Sequence, residues 1–93
     1  MIIGSIVFDL DIDNAFSLKE KRRVLNSLKT RLKNKFNVAV AEVGEKDVWN
    51  RASLAVVTLS DERSFLDSQV QTIINFVETF HDVVIMHITQ EIF

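Results

Sequence analysis

The sequence predicts an α+β domain of the ferredoxin-like type, βαββαβ, with a four-stranded antiparallel sheet and two helices on one of its faces. Three observations carry this. The chain opens with apolar residues at alternate positions, two later stretches repeat apolar residues at helical spacing behind capping residues, and β-branched runs lie between and after them. Two right-handed β-α-β crossovers joined by a central hairpin satisfy that order.

Ile2, Ile6, Phe8, Leu10 and Ile12 occupy even positions, the period of a strand with one buried face. Ser17-Leu18-Lys19-Glu20 has the spacing of a capping box, in which the serine oxygen accepts a free helix N–H and the glutamate reaches back to the serine amide. Behind it Leu18, Leu25, Leu28, Leu32 and Phe36 fall on one stripe, so the first helix runs to about Lys35, with Asn34 and Asn37 at its exit. Val38 to Val43 and Ala52 to Leu59 are β-rich runs around the turn residues Gly44-Glu45-Lys46-Asp47, which predicts an antiparallel hairpin with a wide connection. Glu42 is placed to pair with Arg51 across it. Ser60-Asp61-Glu62 offers a cap and two early acids ahead of a second stripe, Leu66, Val70, Ile73, Val77 and Phe80. The closing run Val83 to Ile88, extending toward Phe93, reads as the last strand.

Length and composition set the class. Ninety-three residues, 47% of them hydrophobic, fit one domain spanning 1–93. There is no cysteine, so disulfides, thiolate metal sites and a cysteine nucleophile are excluded, and a reducing, cytoplasmic location is expected. The apolar opening lacks a positive flank and runs directly into Asp9, Asp11 and Asp13, which argues against a signal peptide or a membrane span.

Two surface features stand out. If Ile6, Phe8 and Leu10 face the helices, Ile3, Ser5, Val7 and Asp9 face away, and Ala55, Val57 and Leu59 join them, as do Val83, Ile85 and His87 by the same alternation. That open face is more apolar than a solvated sheet requires. It consists either of scattered surface valines or of a face covered by a second copy of the chain, a homodimer. The second feature is charge. The net charge is only −2, yet eight of the eleven Lys and Arg lie between Lys19 and Lys35 against one acid, Glu20. Lys19, Arg22, Arg23, Lys29 and Lys33 fall along one flank of the apolar stripe, while Arg31 and Lys35 point elsewhere. The flank is either a solvated helix face or a track for phosphates. Trp49, next to Arg51, either clamps the hairpin by packing on the sheet edge or presents a flat anchor to a partner.

No catalytic constellation emerges, and the chain reads as a non-enzyme without a cofactor. His81 and His87 lack ligand-spaced partners, and Asp9, Asp11 and Asp13 form a carboxylate run without further oxygen ligands. The glycines, Gly4 and Gly44, supply no phosphate-cradling loop. RNA-recognition motifs share the topology but stack bases on strand aromatics, and those positions hold Val7, Ala55 and Val57.

Three stretches, Ser17-Leu18-Lys19-Glu20-Lys21-Arg22-Arg23-Val24, Phe36-Asn37-Val38-Ala39-Val40-Ala41-Glu42-Val43 and Asp47-Val48-Trp49-Asn50-Arg51-Ala52, resemble the small bacterial YlxP-like family in order and spacing over nearly the whole chain. The resemblance implies a ferredoxin-like fold and carries no catalytic residues. Members often lie in gene clusters with translation and ribosome-maturation factors, which implies an RNA- or ribosome-associated role. Ala55 stands where relatives often have glycine, and Asn14-Ala15-Phe16 lacks their small or proline residues, departures that bear on loop shape.

Together these readings give a binding protein that holds RNA or a ribosomal surface through Lys19, Arg22, Arg23, Lys29 and Lys33. The alternative is a protein-interaction module using Ile3, Val7, Trp49, Arg51 and Val57, with no nucleic-acid role.

Overall fold

In the computed structural model, which describes residues Met1–Phe93, the elements follow as β1 (Ile2–Ile12), α1 (Leu18–Lys35), β2 (Ala39–Gly44), β3 (Arg51–Ser60), α2 (Arg63–Glu78) and β4 (Val83–Ile92). The strands form one antiparallel sheet in the order β2-β3-β1-β4, so α1 crosses over β3 and α2 over β1. This is the ferredoxin-like arrangement. The central pair, β1 and β3, runs in register from Ile2 opposite Ser60 to Asp11 opposite Arg51.

Alternation decides what lies under the helices. Ile6, Phe8, Leu10 and Ile12 of β1 and Ala52, Leu54 and Val56 of β3 are buried beneath Leu25, Leu28 and Leu32 of α1 and Leu66, Val70, Ile73 and Val77 of α2. Gly4 shares that inner face. A Cβ there would stand 3.2 Å from Val70 Cγ2, so the missing side chain lets α2 settle onto β1. At the other end Phe36 and Phe76 meet edge-to-face at 5.9 Å and join the two helices. The Thr58 hydroxyl donates to the Asn37 carbonyl and ties down the connection into β2.

Four details differ from the sequence-based expectation or resolve it. Ser17 does cap α1, accepting from the Glu20 amide at 3.1 Å, but the Glu20 carboxylate accepts from the Phe16 amide rather than that of Ser17. The cap of α2 is Glu62, which makes no side-chain capping bond; Ser60 instead accepts from the Glu62 amide and rounds off the preceding turn. In β2 the register settles with Val40 and Glu42 inward and Ala39, Ala41 and Val43 on the open face.

In β4 the expected parity is wrong for Val83 and Ile85. Asp9 pairs with His87 but Leu10 with Ile85, so Met86 is an inserted residue without a partner. The bulge reverses the alternation. Val83 and Ile85 therefore pack with the core, Val84 turns to the open face opposite Asp11, and His87 remains outward as expected.

Candidate nucleic-acid interface

Helix α1 presents two chemically different sides of one rod. Its inward stripe reads Lys21, Leu25, Leu28, Leu32, so a lysine occupies the first core position of an otherwise aliphatic row. Lys21 is 1% exposed. Its Nζ lies 2.6 Å from the Val48 carbonyl, 2.9 Å from that of Glu45 and 3.0 Å from that of Arg51, with Lys46 more distant at 3.5 Å. Glu42 Oε2 is 2.9 Å away, at angles outside hydrogen-bond geometry. The three ammonium protons therefore serve the three nearest carbonyls, and the carboxylate balances the charge.

This arrangement overturns the expected Glu42–Arg51 pair. Glu42 lies on the inner face of β2, opposite Leu54 and under α1, whereas Arg51 opens β3 on the outer face opposite Asp11. Side chains on opposite faces of the sheet cannot meet. The cage also explains the backbone of Glu45, whose φ of 57° lies in the left-handed region. That conformation costs about 1 kcal/mol or more for a residue with a Cβ. It is offset by the bond that the Glu45 carbonyl accepts from Lys21 and by a second from the Val48 amide at 3.1 Å.

The outward flank carries the five cations singled out above. Lys19, Arg22, Arg23 and Lys33 are exposed and Lys29 is half-buried. At 1.5 Å per residue they span roughly 21 Å of helix. None of them forms an ion pair: the Lys and Arg ion pairs of the molecule are Lys21–Glu42 and Arg63–Asp67, and the remaining close nitrogen–carboxylate contact is between His81 and Asp82 at 3.4 Å. Arg31 and Lys35 lie on the flank toward α2, where Arg31 sits 5.6 Å from the Phe80 ring centre and Lys35 5.1 Å from that of Phe76. The lane does not help the helix to form. Lys19–Arg23 and Lys29–Lys33 are like-charge pairs at i, i+4, each unfavourable by about 0.2–0.5 kcal/mol. Only Lys33, in the last turn, gains from the negative end of the helix dipole.

The candidate partner-binding residues divide. Ile3, Val7 and Val57 share the open face: Ile3 lies opposite Leu59, Val7 opposite Ala55, and Val57 between Ser5 and Ala39. Arg51 lies at the far end of that face, in a shallow polar depression of about 460 Å³ with Asp9, Asp11, Glu45, Ser53 and His87. There Asp9 accepts a hydrogen bond of 2.8 Å from the Ser53 hydroxyl. Trp49 does not belong with this set. It meets Phe16, one residue ahead of the α1 cap, with ring centres 6.2 Å apart and planes tilted by 36°.

Sequence reasoning missed Lys21 and Phe16, and both had a signal. Lys21 falls on the buried stripe rather than on the solvated flank, since Leu25, Leu28 and Leu32 follow it at i+4, i+7 and i+11. Phe16 is the N′ residue, which ordinarily packs on an apolar N4 side chain, and N4 here is Lys21. With its staple partner committed to the cage, the Phe16 ring turns to Trp49.

No helix is long and apolar enough to cross a membrane. Over residues 3–90 the chain matches the family model described as "Protein of unknown function (DUF503)". It is 37% identical over 82 residues to "Uncharacterized protein YlxP" of Bacillus subtilis (strain 168), covering 88% of this chain and 89% of that protein. The basic helix, the central hairpin and nearly all of the sheet fall within the residues that the family model matches, and the chain, similar to YlxP along most of the length of both, belongs to the DUF503 family.

Proposed function

We propose that the protein is a non-catalytic RNA-binding protein that grips phosphates along the outward flank of α1. One observation carries the reading: Lys19, Arg22, Arg23, Lys29 and Lys33 share a flank without a single ion pair, in a protein whose net charge is −2. An unneutralised cationic lane that weakens its own helix calls for an external anion, and a chain of phosphates matches its length and repetition. The test is the salt dependence of RNA binding, read by fluorescence anisotropy. Five phosphate contacts on a single strand give a slope of log K against log salt of roughly −3 to −4. A slope near zero, or no binding at low salt, would remove the reading.

The open face of the sheet favours a second reading, in which two copies of the chain associate through β1, β2 and β3. Val57 and Leu59 are exposed there beside Ala39, Ala41 and Ala55, a flat uncharged area on which a second sheet can pack. The two readings use opposite faces and are compatible. Val57→Glu is expected to convert a dimer to a monomer in sedimentation velocity at micromolar concentration. An unchanged sedimentation coefficient in the variant rules out this interface.

A further inference from the structure

We infer that Phe16 and Trp49 form a stacking site for unpaired RNA bases, placed at the N-terminal end of the cationic lane. The inference rests on the phosphate-gripping reading above and extends it from backbone charge to base recognition. Phe16 is 73% exposed and Trp49 43% exposed, so neither ring is filling the core. Two aromatic faces held in water are unfavourable unless something covers them. Both are positioned by polar anchors. The Phe16 amide donates to Glu20 at 3.1 Å, and Lys21 holds the carbonyls of Val48 and Arg51, on either side of Trp49, at 2.6 and 3.0 Å. A platform fixed in advance loses little freedom when a ligand arrives.

The neighbours of the pair name the ligand. Lys19 follows Phe16 by three residues and Arg22 and Arg23 lie on the next turn, so the aromatic pair stands at the N-terminal end of the helix whose exposed flank carries the unpaired cations. An apolar protein surface would complement the rings but not the cations. A duplex would meet the cations but hides its base faces in its own stack. Single-stranded RNA satisfies both, with phosphates on α1 and a base against the rings. The strands play no part: their open-face positions Val7, Ala55 and Val57 are aliphatic, so the stacking has moved from the sheet to the junction of α1 with the β2–β3 loop.

Trp49 is the only tryptophan, so its emission reports this one place. The probes are a 12-nucleotide oligouridylate, a ribose-phosphate oligomer of the same length without bases, and a 12-base-pair RNA duplex, at low salt. Oligouridylate is expected to quench Trp49 in step with binding read by anisotropy, whereas the abasic oligomer and the duplex bind about tenfold more weakly and leave the emission unchanged. Phe16→Ala, with circular dichroism unchanged, is expected to weaken oligouridylate binding about tenfold while preserving the salt slope, because no phosphate contact is lost. Equal affinity for the abasic oligomer, or binding without quenching, overturns the stacking site and leaves the phosphate lane standing. Failure of all three probes to bind overturns both. A Trp49 blue shift that depends on protein concentration alone, and is lost in Phe16→Ala, assigns the rings to a contact between copies and overturns the inference.

Discussion

Replacing Lys21 by methionine is expected to lower the stability of the fold by about 3–5 kcal/mol, the cost of removing one member of a buried ion pair. Methionine has nearly the same length and no charge, so the packing of α1 survives while the ammonium is lost. What remains is the Glu42 carboxylate together with the carbonyls of Val48 and Arg51, all deprived of the ammonium, while the Glu45 carbonyl keeps the Val48 amide. All are electron-rich, and a buried acceptor without a partner carries its full desolvation penalty. In a domain of this size the loss is a large share of a total of about 5–15 kcal/mol. Thermal denaturation should therefore shift down by roughly 20 °C. Glu42→Leu in the Lys21→Met background should recover part of it, since it removes the stranded carboxylate. A loss below about 1 kcal/mol would show that the ammonium does not hold the loop.

Reversing three charges at once, Lys19→Glu with Arg22→Glu and Arg23→Glu, is expected to reduce affinity for single-stranded RNA more than about a hundredfold at low salt. Two cations of the lane would remain, and the salt slope should fall to roughly −1.4. Stability is expected to stay within about 0.5 kcal/mol of the parent, because exposed side chains without ion pairs are being changed. The Lys19–Arg23 repulsion is exchanged for an acid–acid repulsion of similar size at the same spacing, while acids near the N-terminus of α1 gain from the helix dipole. Arg31→Glu with Lys35→Glu is the control. Those side chains lie over Phe80 and Phe76 on the other flank, and reversing them should leave most of the affinity intact. Equal losses from the two sets would mean that net charge, rather than a lane, determines binding.

The two variants separate the roles that one helix combines. Lys21 faces inward and fixes the β2–β3 loop, and with it Trp49; Lys19, Arg22 and Arg23 face outward beside it. Their positions differ by one or two residues, yet at 100° per residue that is enough to send one ammonium into the core and its neighbours into water.

The sequence by itself determined the order of elements, the topology, the buried stripes of both helices and the flank that holds the cations. These depend on local periodicity and capping, which are properties of neighbouring residues. Only the tertiary structure decided the parity of β4, where the bulge at Met86 reverses alternation through pairing with β1, a strand some seventy-five residues earlier in the chain. Likewise, it decided that Glu42 pairs with Lys21 rather than Arg51, and that the ring Trp49 meets is that of Phe16, ahead of α1. Each of these depends on which surfaces the fold brings together across long sequence separations. The physical reason is the same in all three: a side chain's chemistry can be read from its own residue, but its partner is chosen by the faces that the sheet and helices present to one another.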